Sequence, residues 1–366
     1  MEFTLNTKPL VDGLELGIIN SNVTKFYQKS CIVQLTIDTA GLRVNTEVSS
    51  IKSELLFKGK VSGEGAYQAF VDSLLFKSLI KSIDSDTVTL EFREDGLIVH
   101  SNKSKFTLPL VVSGDDLELN RPQILEDTSR SLDVESDQWK FIQDHQMYAI
   151  AMSFIHPVYT NVWISEDGDV IVGDFDNSIF THSTSVSLFN TCLITDTIIN
   201  LLTTVPPNSQ ILQIGKNYEI KVETDPYYYV CEFAPKYEDD EEIGDYSASM
   251  IMSLFNTSGA GIKVKVAPIL KYLSQAELFS NTNEDTIDLS IKEDTFVLKN
   301  ENVNCKMRVD NPYQPFELVF KIQLLRDAMS HMDADEIMIA PLDQEGTVIG
   351  IVAWTDSLSV VLAGVD

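Results

Sequence analysis

The chain has 366 residues, of which 44% are hydrophobic and 22% charged, values that are ordinary for a soluble globular protein of two or three domains. Its net charge of −28 argues against a protein that grips nucleic acid through a basic face, although a protein that encircles DNA needs no tight grip. No apolar run approaches the roughly 20 residues of a membrane span.

Two further features predict a cytoplasmic protein. The N-terminus (MEFTLNTKPL) lacks the basic region of a signal peptide. The four cysteines have no paired spacing, which is typical of buried, reduced thiols. They are Cys31, Cys192, Cys231 and Cys305.

The first predicted helix covers residues 5–20, and a polar loop with Lys25 follows it before a run of short strands. A second helix is predicted at residues 70–84, where apolar residues recur at the spacing of one helix face. These apolar residues are Val71, Leu74, Leu75, Leu79 and Ile83. Lys77 and Lys81 share another face of the same helix. Three β-rich segments with polar turns follow, up to residue 112.

This order of one helix, a polar stop and three strands returns at residues 194–234 and 320–364. The helix stops at Asp84, Pro206 and Asp333 lie about 125 residues apart, which indicates three copies of one domain.

A weaker helix-plus-strand segment precedes each copy, so each third of the chain holds two such halves. Their helices are predicted within residues 5–20, 136–154 and 264–280. We therefore predict an α+β fold of three domains. An acidic linker joins the first domain to the second, and a short polar hinge joins the second domain to the third. The predicted domains are residues 1–120, 130–253 and 262–366.

Motifs of catalysis are absent from the sequence. It contains no glycine-rich phosphate loop, no GxSxG, no HExxH and no paired CxxC, and its five histidines lie in different local contexts. Asp174 and Asp176 form a DxD triplet, but acidic residues before Asn177 are typical of a turn. We therefore expect no enzyme activity, no metal and no cofactor.

Three doubled helix-plus-strand domains in one chain of this length resemble the bacterial DNA sliding clamp, the DNA polymerase III β subunit family. The local resemblance is best in LLFKSLIKSIDSDTVTLEFREDGLIVHSNKSKFTLPLV and in PFELVFKIQLLRDAMSHMDADEIMIAPL. It implies three clamp domains, each with two helices packed on antiparallel sheets, in a head-to-tail dimeric ring. Such a ring encircles duplex DNA without reading its sequence and acts as a processivity factor for a DNA polymerase.

The resemblance also implies two kinds of contact surface. An apolar joint between the two copies would use Phe106, Leu108, Leu278 and Phe279. Helices would line the hole and touch DNA phosphates, although the predicted fourth helix has no Lys or Arg. The candidate phosphate contacts are Lys25, Lys77, Lys81, Lys140, Lys271 and Arg326.

A third surface implied by the resemblance is a cleft where the polymerase and the clamp loader dock short apolar peptides. Its walls would come from Thr160, Asp176, Ile179, Gly244, Met250, Val360, Val361, Leu362, Ala363 and Gly364. The family usually has proline near position 244 and a Pro-Met pair near 363–364. These departures favour a divergent member, such as one from a bacteriophage, with a wider cleft and a different preferred peptide.

The sequence leaves two other hypotheses open. The chain could be a clamp-fold adaptor that does not encircle DNA, such as a transcription co-activator or a decoy for clamp-binding proteins. The net charge and the uncharged fourth helix favour this reading slightly. An enzyme site assembled from distant residues would show no local motif.

Overall fold

The computed structural model shows an α+β protein with antiparallel sheets, which confirms the predicted fold class. The residues that it describes are 1–18, 32–48, 51–93, 96–102, 104–111, 119–122, 130–150, 161–174, 177–237, 248–256, 261–280, 285–310 and 313–365. None of the helices in these ranges is long and apolar enough to span a membrane.

The described elements follow one order three times: a strand, a helix, three strands, a strand, a helix and three strands. Copy 1 has β1 (Glu2–Asn6), α1 (Thr7–Gly17), β2 (Ile32–Asp38), β3 (Gly41–Val48), β4 (Ile51–Phe57), an extra β5 (Lys60–Ser62), β6 (Tyr67–Asp72), α2 (Ser73–Lys81), β7 (Thr87–Arg93), β8 (Gly96–Ser101) and β9 (Ser104–Leu108).

Copies 2 and 3 continue the series. Copy 2 has β10 (Ser131–Asp133), α3 (Ser136–His145), a 3-10 turn (Met147–Ala149), β11 (Asn161–Ile164), β12 (Asp169–Asp174), β13 (Ile179–Thr184), β14 (Cys192–Thr195), α4 (Asp196–Leu202), β15 (Gln210–Ile214), β16 (Asn217–Glu223) and β17 (Tyr227–Phe233). An extra helix, α5 (Ala248–Ser253), follows it. Copy 3 has β18 (Ile262–Lys265), α6 (Val266–Glu277), β19 (Thr286–Lys292), β20 (Thr295–Lys299), β21 (Asn304–Arg308), β22 (Phe316–Lys321), α7 (Ile322–Ser330), β23 (Glu336–Gln344), β24 (Thr347–Trp354) and β25 (Ser359–Ala363).

The chain forms two compact units. Unit 1 comprises Met1–Ser136 and Thr197–Pro235, and unit 2 comprises Asp137–Asp196 and Lys236–Asp366. Copy 2 contributes to both units, because its strands join sheets of the copies before and after it. The division into three domains at the boundaries given above stays a prediction.

Unit 1 contains two antiparallel sheets. One has the strand order β5-β1-β7-β8-β9, and the other has the order β10-β15-β16-β17-β4-β3-β2-β6. Helix α1 packs closely on the larger sheet because two of its residues are glycines. A Cβ atom at Gly13 would lie 2.6 Å from the ring of Phe57, and one at Gly17 would lie 2.9 Å from Leu55.

Helix α2 begins later than the sequence suggested, because residues up to Asp72 belong to strand β6. The carboxylate of Asp72 caps the helix by accepting a hydrogen bond from the N–H of Leu75 at 2.8 Å. The predicted apolar face is wrong for Leu74 and Leu75, which are about half exposed. The buried face consists of Ser73, Phe76, Lys77 and Ile80. Lys77 therefore lies on the face of α2 that packs against the rest of the protein, and not on the face exposed to solvent.

Unit 2 also contains two antiparallel sheets. One has the order β14-β11-β12-β13-β25-β24-β23-β18, and the other has the order β21-β20-β19-β22. Its strands alternate between two faces, as a pleated strand requires. Ile179, Val360 and Leu362 are therefore on one face of the larger sheet, and Phe180 and Val361 are on the other.

Candidate functional site

Two sheets are completed by strands from neighbouring copies. In unit 1, β4 of copy 1 pairs with β17 of copy 2, from Phe57↔Tyr227 to Lys52↔Glu232. In unit 2, β13 of copy 2 pairs in the same antiparallel sense with β25 of copy 3. Each copy consists of two halves, and each half is a strand, a helix and three strands. In both sheets, the last strand in the first half of one copy pairs with the last strand in the second half of the next copy. This arrangement leaves β21 of copy 3 and β9 of copy 1 at sheet edges, without the corresponding neighbour.

Apolar side chains lie at both of these edges. Phe106 and Leu108 of β9 continue the core face of their sheet, opposite Val99 and Leu97 of β8. Leu108 is buried, whereas Phe106 is 39% exposed. The core layer of unit 1 is thus partly uncovered at β9.

The edge strand β21 of unit 2 has a similar character. Its core-facing residues are Cys305, which is buried, and Met307, which is half-buried. Directly after α6, Leu278 is 82% exposed and Phe279 is 60% exposed. These are the largest exposures among the bulky apolar side chains of the described residues.

The predicted phosphate contacts differ in how freely they face solvent. Lys140 on α3 and Lys271 on α6 are exposed. Lys77 is only 7% exposed, and its Nζ donates to the Ile18 carbonyl at 3.2 Å and pairs with Glu15 at 2.9 Å. Lys25 lies outside the described residues.

Lys81 and Arg326 are accessible, but both are held by acidic residues. Lys81 is 52% exposed and pairs with the second carboxylate oxygen of Glu15. Arg326 is 30% exposed and pairs with Glu277, and its Nη2 lies 3.1 Å from Asp327. Each predicted contact on α2 and α7 is therefore already part of an ion pair.

The pKa shifts agree with this pairing. Burial alone raises the pKa of Glu15, but the hydrogen bonds and charges of Lys81 and Lys77 lower it overall. Burial alone lowers the pKa of Arg326, but Asp327 and Glu277 raise it overall. Both shifts favour the charged forms that the ion pairs need.

The predicted cleft residues fall on two faces of the larger sheet in unit 2. Ile179, Val360 and Leu362 are buried on one face of this sheet. Gln146 packs against the same face, where its Nε2 lies 3.3 Å from the hydroxyl of Thr181. Val361 is on the opposite face, which α5 covers. Thr160, Asp176 and Gly244 lie outside the described residues.

Helix α5 packs on an apolar cluster that the sequence reasoning largely missed. The buried members of the cluster are Trp163, Ile171, Phe180, Leu193, Ile251, Val352 and Val361. Half-buried residues pack around them: Ala248, Met252, Leu254, Phe255, Leu342 and Trp354. Met250 of α5 is exposed to 43%. Val352 and Phe180 lie directly opposite Val361 on the two neighbouring strands. The cluster therefore depends on strand pairing and on the position of α5, and neither could be read from the sequence.

The C-terminal residues of the predicted cleft are fixed by backbone hydrogen bonds. The N–H of Ala363 donates to the Ser178 carbonyl at 3.0 Å, and the N–H of Gly364 donates to the Ile349 carbonyl at 2.8 Å. Proline has no N–H, so the first bond requires a residue other than proline at position 363.

The acidic and thiol side chains that the sequence singles out have structural surroundings in the described part of the chain. No three His, Cys, Asp or Glu side chains in it could hold a metal ion together. Asp174 accepts hydrogen bonds from Asn177, as in a turn. Cys192, Cys231 and Cys305 are buried thiols, and Cys31 lies outside the described residues. Burial raises the pKa of Cys231 to about 12.

Comparison with known proteins identifies the fold. No protein-family model and no curated protein sequence matches the chain. The DNA polymerase III β subunit of Thermotoga maritima matches with a TM-score of 0.78 at 11% identity, over 100% of this chain and 99% of that chain. The DNA polymerase III β chain of Streptococcus pneumoniae matches with a TM-score of 0.76 at 14% identity, over 100% of this chain and 99% of that chain.

A third solved structure, the Helicobacter pylori β clamp bound to a DNA ligase peptide, matches with a TM-score of 0.70 at 13% identity, over 100% of both chains. The chain therefore has the fold of the bacterial β sliding clamps along its whole length.

Proposed function

We propose that this protein is a divergent β sliding clamp, a non-catalytic processivity factor that encircles duplex DNA in the bacterial or infected-cell cytoplasm. The observation that carries the proposal is the match to β clamps over the whole of both chains. Because a closed ring is held on DNA by its topology, it needs neither a basic surface nor base contacts. A net charge of −28 is compatible with such a mechanism.

The two sheet edges at β21 and β9 support a head-to-tail dimer. Within the chain, each first half is joined to the second half of the next copy, and β21 and β9 are the two edges that lack this join. Pairing β21 of one molecule with β9 of another would extend the same rule and close a ring of two chains. It would also cover two exposed strand edges, which otherwise favour aggregation.

The internal joins also suggest the register of this joint. At the join in unit 2, the core-facing residues Ile179 and Thr181 of β13 lie opposite Leu362 and Val360 of β25. The same pairing would bring Cys305 and Met307 of one molecule opposite Leu108 and Phe106 of the other. Leu278 and Phe279 would then cover the open end of the core layer at Phe106.

Partner proteins, including a DNA polymerase and a clamp loader, would dock through short apolar peptides on unit 2. The side chains that remain accessible around α5 provide an apolar surface for such a peptide, with Met250, Phe255 and Trp354 at its border. We expect Met250→Asp to weaken binding of a fluorescent polymerase-derived peptide at least tenfold. Unchanged peptide binding would place the docking surface elsewhere.

The proposal is tested by mass and by retention on DNA. A dimer has twice the chain mass of 41.0 kDa, and light scattering over a dilution series would detect it. The protein, loaded by a clamp loader, should remain on nicked circular DNA during gel filtration and should leave after the circle is cut. Equal retention on circular and linear DNA would contradict encirclement.

The alternative of a clamp-fold adaptor is favoured by one specific observation. Lys77, Lys81 and Arg326 are held in ion pairs, which weakens the attraction for phosphates. An adaptor would bind partner peptides as a monomer at micromolar concentration and would show no retention on circular DNA. The two measurements above therefore separate the two functions.

A further inference from the structure

The same arrangement of charges occurs in two copies of the repeat. Lys77 is the fifth residue of α2 and Arg326 is the fifth residue of α7. In each copy, the acidic partner comes from the preceding helix: Glu15 of α1 and Glu277 of α6. The pairing of a carboxylate on the first helix with a cation on the second therefore occurs twice at corresponding places in the repeat.

The position of Glu15 is fixed by the backbone around it. Two hydroxyl groups, of Thr46 and Ser53, each donate to the carbonyl of Gly17 at 3.0 Å. They hold the last turn of α1 against strands β3 and β4, two residues after Glu15. Glu15 can therefore face α2 and bind Lys77 and Lys81 together.

The charges on these helix pairs nearly cancel. Glu15 with Lys77 and Lys81 carries a formal charge of +1, but Lys77 is buried and also bound to the Ile18 carbonyl. Arg326 with Glu277 and Asp327 carries −1. A phosphate approaching Lys81 or Arg326 must therefore compete with a carboxylate that is already in place.

We propose that Glu15 and Glu277 act as built-in competitors of DNA phosphate, which keep Lys81 and Arg326 from gripping the duplex and so keep the clamp free to slide. This inference rests on the proposed function, because it assumes that these helices face DNA. It assigns Glu15 and Glu277 as residues that set DNA affinity from a distance, without touching DNA themselves.

The test uses Glu15→Gln, Glu277→Gln and the double variant, since glutamine keeps the size of the side chain and removes its charge. Binding to a short linear duplex is measured by fluorescence anisotropy at several salt concentrations. Each freed cation should steepen the slope of log Kobs against log salt by about 0.9. Glu15→Gln frees Lys81 and should steepen the slope by about 0.9. Because Asp327 still pairs with Arg326 after Glu277→Gln, the double variant should steepen it by about 0.9 to 1.8 and bind more tightly at low salt. On circular DNA, its sliding should be slower.

Glu336→Gln is the matched control, because Glu336 pairs with Lys263 at 2.5 Å on strands rather than on the helices. It changes the net charge by the same amount. Equal salt slopes for this control and for the helix variants would reduce the effect to net charge and overturn the inference. Unchanged slopes in all variants would also overturn it.

The two proposals fail separately. If the wild-type protein is a monomer that does not stay on circular DNA, the proposed function fails. If it stays on circular DNA while the glutamine variants keep the wild-type salt slope, only the competitor role is refuted. Thermal unfolding of each variant confirms that the helices remain folded.

Discussion

Leu278 offers the sharpest test of the proposed joint, because its side chain is 82% exposed in the single chain. Complete burial of a leucine side chain contributes about 1.5–3 kcal/mol. Covering this exposed part would therefore contribute about 1.2–2.5 kcal/mol at each joint. A ring of two chains has two such joints, so Leu278→Ala should weaken dimerisation by about 2–5 kcal/mol, or roughly 30- to 5,000-fold.

Sedimentation equilibrium over a dilution series would measure this change in the dimer dissociation constant. Met250→Ala is the control, because Met250 is also exposed but belongs to α5. Both variants should keep the unfolding free energy of the monomer within about 0.5 kcal/mol, as expected for exposed positions. A Leu278→Ala dimer as tight as the wild-type dimer would refute the assignment of this joint.

Three further predictions concern a buried ion pair, a backbone hydrogen bond and a buried thiol. Lys77→Met should lower the unfolding free energy by about 1–3 kcal/mol, because it removes the bond to the Ile18 carbonyl and the ion pair with Glu15; urea unfolding measures the loss. Ala363→Pro should lower it by a similar amount, because the hydrogen bond to Ser178 is lost. Cys231, with a pKa of about 12, should stay unlabelled by a thiol reagent at pH 8, since about one thiol in ten thousand is ionised; peptide mass spectrometry detects the label.

Each of these predictions has a contradicting result. Unchanged stability of Lys77→Met would mean that the contacts of its ammonium group with Ile18 and Glu15 do not stabilise the fold. A fully stable Ala363→Pro would mean that the end of β25 does not need its hydrogen bond. Rapid labelling of Cys231 in the native protein, at a rate equal to that in urea, would contradict its burial.

The repeated pattern of helices and strands was predictable from the sequence, because it depends on local periodicity and turn residues. The stops at Asp84, Pro206 and Asp333 predicted three copies, and the described elements follow the same order three times. Local preference also determined the class of the fold, since β-rich segments separated by short polar turns form antiparallel sheets.

The faces of these elements were harder to predict. The apolar spacing in residues 70–84 mixed the end of β6 with the start of α2, so Leu74 and Leu75 were assigned to the core although they are half exposed. The cleft residues at 360–364 were grouped as one wall, but neighbouring residues in a strand point to opposite faces. Periodicity predicts that successive side chains point to alternate faces of a strand. Which of the two faces is buried depends on the helices and sheets that pack against it.

The sequence by itself determined the order of the elements, the repeats and the large negative charge. Only the tertiary structure decided which strand edges join, which charges pair and which apolar side chains stay uncovered. Glu15 is 62 residues from Lys77, and β4 is about 170 residues from β17. Such contacts depend on how distant segments pack, and no local preference of the chain encodes the partner of a charge or of a strand edge.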